Sequence, residues 1–531
     1  MRPGRLDAIV LFLAGAAFFL PALASRDVWQ PLESRYAAAT REMVETGDFL
    51  LPRINGEPYE DKPPLLFWLA APLAGACGAH ATRVVGALAA AGALVATAAL
   101  GRLFLPRRVA LLGALVLATT PEFAWIGRFG ELDVLLTLCT TVAAYGWFRG
   151  GRAVALFYAA IGLGLLVKGP VAVVVPLFAA LAGRRVPPAS PRAPLHPLWG
   201  TALALVPAAS WLAAAVARTG MGYAYELVVR QTAGRVADPW IHAEPLHYYV
   251  TAGLPAFLPW VLLAVPAAWL ALRRRGAAAP MLLGWCALGF VFFSALSGKR
   301  VPYVLPLAPP LALLVAWWVH ERRDLAARLA GLLLAAAGGA LFALGCGAGD
   351  LLLRRLDGPT ARALGPIEEI VGRAPLLAIG AAAAAAGLLA AARTLRAAPL
   401  SLALGVAAAF LVADACVTPR LDAVRSPRAS SALLDELVPP GAGEVAIHPD
   451  AYFGAFNLYS RRLRLVTLAT AGEVLAFLDV PGRAVLMSRL ALVSEDEEGR
   501  RLDRTLPHGI RTLSAGRVGR SNMVIVINPG R

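Results

Sequence analysis

Runs of apolar residues long enough to cross a lipid bilayer recur along most of this chain, and no other feature constrains its fold as tightly. "AIVLFLAGAAFFLPALA" and "ALAAAGALVATAAL" approach the roughly 20 apolar residues that a helix needs to span hydrocarbon. By apolar length, about thirteen spans can be placed. They fall near residues 5–24, 81–105, 108–125, 131–148, 152–167, 169–183, 198–217, 246–271, 278–296, 301–318, 326–348, 375–394 and 399–416. Composition agrees: 58% of the 531 residues are hydrophobic and 16% are charged, where soluble domains carry about 25% charge. The expectation is a polytopic α-helical membrane protein.

Between the spans, the chain declares its orientation. The net charge of +16 is spread over short loops such as "RLFLPRR", "RGGR", "GRRVPPASPR", "RRR", "HERRD" and "RTLR", not gathered on one face as a nucleic-acid site requires. Lys and Arg accumulate in cytoplasmic loops, and all six loops fall on one side of the thirteen-span count. Loop 25–80 and everything after residue 417 then lie outside, with the termini on opposite faces. The segment 63–78, interrupted by Pro63, Pro64, Pro72 and Gly75, reads as a helix at or dipping into the membrane surface. "MRPGR" and its apolar run read as an uncleaved signal anchor. Cys77, Cys139, Cys286, Cys346 and Cys416 lie in or beside apolar segments without a paired motif, and read as buried small side chains.

After residue 416 the composition changes. "GEVAIHPD", "GRAVLMSR" and "SNMVIVINP" read as short buried strands; "ASSALLDELV" and "TAGEVLAFLD" read as amphipathic helices. A small α/β domain over 417–531 is expected beside a membrane domain over 1–416. It lacks a Gly-rich phosphate loop or a nucleophile elbow, and reads as a substrate-shaping or partner-docking appendage.

The outer loops hold ionisable groups at the hydrocarbon boundary, where burial is costly without a partner or ligand. They are residues 30–68, "EFAWIGRFGELD", "LLVKGPVAV", "ELVVRQTAGRVADPWIHAEPLHYYV" and "SALSGKRVPYVLPLAPP". Singly, each has an ordinary explanation. Lys168 can snorkel, Glu33 with Arg35 or Arg128 with Asp133 can form a weak surface pair, and His242 can be structural. Together, cations on the side where topology disfavours them suit a phosphate or pyrophosphate headgroup. Neighbouring carboxylates suit positioning an acceptor or taking its proton.

"PLESRYAAATREMVETGDFLLPRINGEPYEDKPPLLFWL" resembles the first extracytoplasmic loop of bacterial lipid A aminoarabinose transferases, which share the GT-C superfamily with protein O-mannosyltransferases. The shared run includes Glu33, Arg35, Tyr36, Arg41, Glu42, Met43, Gly47, Asp48, Asn55, Gly56, Tyr59, Asp61, Lys62, Pro63 and Pro64. "RFGELD", "GLGLLVKGP", "RVADPWIHAEPLHYY" and "SGKRVPYVLPLAPP" follow in the family's order, so the similarity covers about residues 1–320.

The resemblance implies a GT-C-like membrane glycosyltransferase in the bacterial inner membrane, its active site and tail periplasmic. It would move a sugar, with inversion, from an undecaprenyl-phosphate-type polyprenyl carrier to lipid A, a related envelope glycolipid or another glycan. Lys62 matches the lysine that grips the carrier phosphate, and Arg235 a second basic residue of that cradle. Lys168 and Asp133 match polar positions lining the cavity; Arg35, Tyr36, His242 and Lys299 lie in the shared motifs as further carrier and sugar contacts. The family's leading acidic residue is replaced by Leu32, which either favours a phosphate acceptor, already anionic, or moves the base role to Glu33, Asp27, Glu60 or Asp61. Glu33, with Asp61 and Asp133, is the expected catalytic set. No cofactor is expected; Glu33, Asp61 and His242 lack the fixed spacing of a metal site. A protein O-mannosyltransferase-like enzyme, a flippase for lipid-linked sugars, a scaffold acting through its tail and a catalytically inactive relative are the alternatives; no nucleic-acid partner is expected, and oligomeric state is left open.

Overall fold

The computed structural model describes residues 3–29, 31–192, 197–234, 244–274, 276, 278–343, 345–346, 373–392, 398–416, 418–449, 451, 454–460, 462–496, 499–518 and 521–529. The chain forms two compact units: Met1–Leu23, Glu60–Leu66 and Arg83–Val417 make the first, and Ala24–Tyr59, Phe67–Thr82 and Thr418–Arg531 the second. One division falls between Val417 and Thr418, and Ala24–Tyr59 and Phe67–Thr82 of the first loop pack in the unit that holds the tail.

The first unit is helical. Its helices are α1 (Pro3–Phe19), α2 (Ala81–Gly101), α3 (Arg107–Ala118), α4 (Pro121–Ile126), α5 (Leu132–Arg149), α6 (Val154–Lys168), α7 (Val171–Ala182), α8 (Pro197–Thr219), α9 (Trp260–Arg273), α10 (Ala278–Ala295), α11 (Ala308–Glu321), α12 (Arg323–Ala343), α13 (Arg373–Ala392) and α14 (Ala398–Cys416). Among the described residues, five helices are long and apolar enough to cross a membrane, or six when the pair Tyr249–Phe257 and Trp260–Arg273 is one span. Two expected spans differ in form. The segment 246–271 is broken by a 103° bend beside Pro259, which lacks the N–H that would continue the helix. The segment 108–125 ends at Ala118; Pro121 opens the separate short helix α4, so Glu122 lies beyond the span.

Charged side chains fix the ends of α1. Asp7 accepts from Arg102 (2.9 Å) and from Arg107 Nε (2.7 Å) at one end. At the other, the fully buried Arg83 donates to the Leu23 carbonyl, and Arg128 donates to the Phe18 carbonyl (2.7 Å). α1 and α2 therefore run antiparallel, and the chain leaves and re-enters this unit opposite the Arg102–Arg108 turn. Glycine permits the tightest contacts. A Cβ on Gly146 of α5 would lie 2.6 Å from Phe157 N of α6, and one on Gly387 of α13 would lie 2.3 Å from Ala335 N of α12.

The second unit is built on a mixed five-stranded sheet. Its strands are β1 (Val445–Ile447), β2 (Val466–Thr467), β3 (Ala484–Ser488), β4 (Arg511–Val518) and β5 (Ser521–Ile527), in the order β2-β1-β3-β5-β4. β1 pairs parallel with β2 and β3, while β5 pairs antiparallel with β3 and β4. Alternate residues of β3 face two cores. Ala484 and Leu486 join Leu434, Phe456 and Ile525; Val485 and Met487 join Val474, Phe477 and Val526. Both faces are thus covered, which is why these strands read as unbroken apolar runs. The expected helices appear at Arg428–Leu437 and Ala471–Leu478, the second opened by a capping box in which Thr470 accepts from Glu473 N and the Glu473 carboxylate accepts from Thr470 N. In this sheet, sequence reading missed β2, only two residues long, and β4, largely exposed and irregular in register between Ser514 and Arg517.

Candidate active site

Within the first unit, charged and phenolic groups converge where α5 begins and α6 ends. Glu131 caps the start of α5 in extended conformation, putting Asp133 in its first turn. Lys168 ends α6, halted by Gly169 at φ 71°. Lys168 donates to Asp133, which is only 3% exposed, and its ammonium lies 4.3 Å from the centre of the Tyr303 ring. Arg300 lies 3.9 Å from Glu131, and its carbonyl accepts from Tyr249 Oη at 3.2 Å. Lys299, 3% exposed, donates to the Glu244 carbonyl at 2.7 Å. Burial pulls the Lys299 ammonium below its ordinary pKa, with the Glu244 charge opposing.

Glu122, on α4, belongs to the same charged cluster, within electrostatic reach of Glu131, Asp133 and Arg300. Burial first, then the charges of Glu131 and Asp133, push its carboxyl up to about 7, with Arg300 opposing. Such a value places a carboxyl at its titration point near neutrality, where proton transfer is efficient. The sequence hides Glu122 inside an apolar run; only the break at Pro121 marks it. Arg128 does not pair with Asp133: it donates to Asp414 at 2.5 Å and to the Phe18 and Pro21 carbonyls at the C-terminal end of α1.

The remaining expected residues divide between the units. In the first, Lys62 is partly buried and donates to the Asp61 carbonyl at 2.8 Å. Beside it the Glu60 carboxyl is raised, chiefly by burial, then by Glu226 and Asp61, against Arg230. In the second, Glu33 is 1% exposed, accepts from Arg26 Nη1 and Nη2 at 2.9 and 3.1 Å, and accepts from Trp29 N at 2.8 Å. Asp27 accepts from Ser426 Oγ at 2.7 Å and Arg428 Nε at 2.9 Å. Tyr36 packs edge-on against Phe67, centres 6.0 Å apart, and Arg35 lines a cavity. Arg235 and His242 lie outside the described residues. Among the described residues, no group of three or more His, Cys, Asp or Glu side chains is arranged to hold a metal ion.

The fold is that of polytopic membrane glycosyltransferases. Two crystal structures of ArnT from Cupriavidus metallidurans superpose with TM-scores of 0.73 in the apo state and 0.72 bound to undecaprenyl phosphate, at 21% and 20% identity, each covering 98% of that chain and 99% or 98% of this one. The oligosaccharyltransferase of Archaeoglobus fulgidus follows at a TM-score of 0.51 and 11% identity, with 92% of this chain and 70% of that one covered. In sequence, residues 61–213 match the dolichyl-phosphate-mannose-protein mannosyltransferase family model. The chain is similar to undecaprenyl phosphate-alpha-4-amino-4-deoxy-L-arabinose arabinosyl transferases. It is 30% identical over 335 residues to that of Pectobacterium carotovorum (59% of each chain), and 32% over 318 residues to that of Aeromonas hydrophila (56% of this chain, 57% of the relative). The match therefore spans less than two thirds of these relatives. It places the chain's resemblance with the aminoarabinose transferases of the GT-C superfamily, as the first-loop motif implies.

Proposed function

We propose that the chain is a membrane glycosyltransferase that moves a sugar from an undecaprenyl-phosphate-type carrier to a periplasmic acceptor, with lipid A or a related envelope glycolipid as the leading acceptor. The observation that carries this reading is a coincidence of position. The family match begins at Asp61 and Lys62 and contains Asp133 and Lys168, which are among the residues that hold buried or partly buried charge in the first unit. Relatives named for undecaprenyl phosphate-linked arabinose transfer support the donor class. Thirteen crossings, a periplasmic tail and an inner-membrane location complete the proposal.

In this reading Lys62, with Arg235, holds the carrier phosphate, and Lys168 and Lys299 contribute positive potential to the charged cluster. Cations fixed in a water-poor site stabilise the charge that grows on the departing polyprenyl phosphate, usually a large catalytic contribution. Asp133 keeps Lys168 in place. Both Glu33 oxygens are engaged by donors, so we assign Glu33 to holding its loop and move the base role to Glu60, whose raised carboxyl adjoins Asp61 and Lys62. A phosphate acceptor needs no base; a hydroxyl acceptor needs Glu60. The dolichyl-phosphate-mannose family match favours, as a second reading, a protein hydroxyl as acceptor.

Lys62→Ala is expected to lower transfer from a labelled undecaprenyl phosphate sugar in membranes by about 100-fold or more, the usual loss when a transition-state charge partner is removed. Unchanged turnover at normal expression would remove the assignment. Comparing envelope lipids and proteins of a deletion strain with its parent by mass spectrometry identifies the acceptor.

A further inference from the structure

The first loop gives the second unit a segment that is apolar on every side. From Leu65 to Ala79 the sequence "LLFWLAAPLAGACGA" carries no charge, and from Phe67 onward it belongs to the second unit. Its backbone is helical from Leu65 to Cys77, through a 3-10 turn at Ala71–Leu73, and stops at Gly78, φ 54°. Phe67, Ala70 and Ala71 form an inner face. All three are buried, and the Phe67 ring packs edge-on against Tyr36 and Tyr59 with centres 6.0 and 6.2 Å apart. Leu69, Pro72 and Ala76, at helical spacing, form an exposed outer face.

A second segment joins that face. Trp68 Nε1 donates to the Phe49 carbonyl at 2.6 Å, and the Phe49 side chain is 51% exposed beside a Leu69 that is 42% exposed. We infer that this surface is a membrane anchor: Phe49, Trp68, Leu69, Pro72 and Ala76 enter the lipid interface and seat the second unit on the bilayer through its own side chains.

Three features select lipid as the occupant. A helix that is apolar all round belongs inside a protein or a membrane, and here one face is already packed. Next, α2 follows directly and is 21 residues long. At 1.5 Å per residue it covers about 31 Å, so it crosses a hydrocarbon core of roughly 30 Å alone. The residues before it are surplus to the crossing and join it at its end, where headgroups lie. Finally, the Trp68 indole N–H and the Phe49 carbonyl satisfy each other, as apolar surroundings demand, and aromatic side chains are favoured at the boundary of lipid and water. Charges near Phe49 in the chain are paired among themselves. Arg41 Nε donates to Glu45 at 2.6 Å, and Arg53 Nε to Asp48 at 3.3 Å. Apolar area therefore drives insertion, with no need of anionic lipid.

The test uses the full-length protein, its native cysteines replaced, in nanodiscs of neutral phosphatidylcholine. Single cysteines at Phe49→Cys, Leu69→Cys and Ala76→Cys carry the environment-sensitive fluorophore NBD; the last leaves both large anchors in place. His508→Cys, at an exposed polar turn, is the water-facing reference. Spin-labelled acyl chains should quench all three probes at a depth of about 5–10 Å below the headgroup boundary, and aqueous iodide should lose most of the quenching it shows at the reference. Iodide quenching equal to the reference at any of the three positions overturns the anchor. Shielding from iodide and spin-labelled lipid alike also overturns it, because protein, such as a second copy of this chain, then covers the face. Immersion that appears only when anionic lipid is added overturns it as well, since charge rather than apolar area would then hold the surface.

Discussion

Lys168 and Asp133 form a buried ion pair, and breaking one partner of such a pair leaves an uncompensated charge costing about 3–5 kcal/mol. Lys168→Met should therefore lower the melting temperature in detergent sharply, and Asp133→Asn combined with Lys168→Met should recover much of the loss; a double variant no better than the single one contradicts the pairing. Glu122 gives a pH signature. Its folded carboxyl is raised to about 7, so between its ordinary value and 7 the native state keeps a proton that the unfolded chain has released. Stability from this group is highest at acidic pH and falls as pH rises toward 7, by up to about 3 kcal/mol. Glu122→Gln should flatten the melting-temperature profile between pH 4.5 and 7.5; an unchanged slope would assign it elsewhere. At this scale the sequence was partly legible. Lys168 and Asp133 stood out as charges at the ends of apolar runs, but Arg128 found Asp414, a residue 286 positions away, and no local pattern announces that.

Helices were read best, because apolar length is a local property. Their interruptions were read less well: the bend near Pro259 and the stop at Ala118 fall inside runs whose hydropathy never drops. The buried strands β3 and β5 were visible as Val- and Ile-rich runs, while the exposed β4 gave no such signal. Where α12 meets α13, backbones approach too closely for side chains. Gly387→Leu should force them apart and cost about 1–3 kcal/mol or more, read as a lower melting temperature. Gly339→Leu, with no atom near its added Cβ, is the matched control and should melt with the wild type.

For the molecule as a whole, the proposed odd number of crossings sets its two ends on opposite sides. With the native cysteines replaced, a single cysteine at Arg185 should react with a membrane-impermeant maleimide only after permeabilisation, and one at His508 should react in intact spheroplasts. The reverse pattern would turn the topology over. Sequence reading gave the whole first loop to the membrane unit. Residues 24–59 pack with the tail instead, through contacts such as Asn55 with Leu465 that connect positions 410 residues apart.

The Arg128–Asp414 pair also bears on how the protein is made. At about 5–20 residues per second, a ribosome reaches residue 414 some tens of seconds after Arg128 has emerged. Through that interval the arginine has its contacts with the α1 carbonyls but no counter-ion from the last helix. A chain truncated before residue 398 never acquires one, and quality-control proteases should clear it faster than the full-length product.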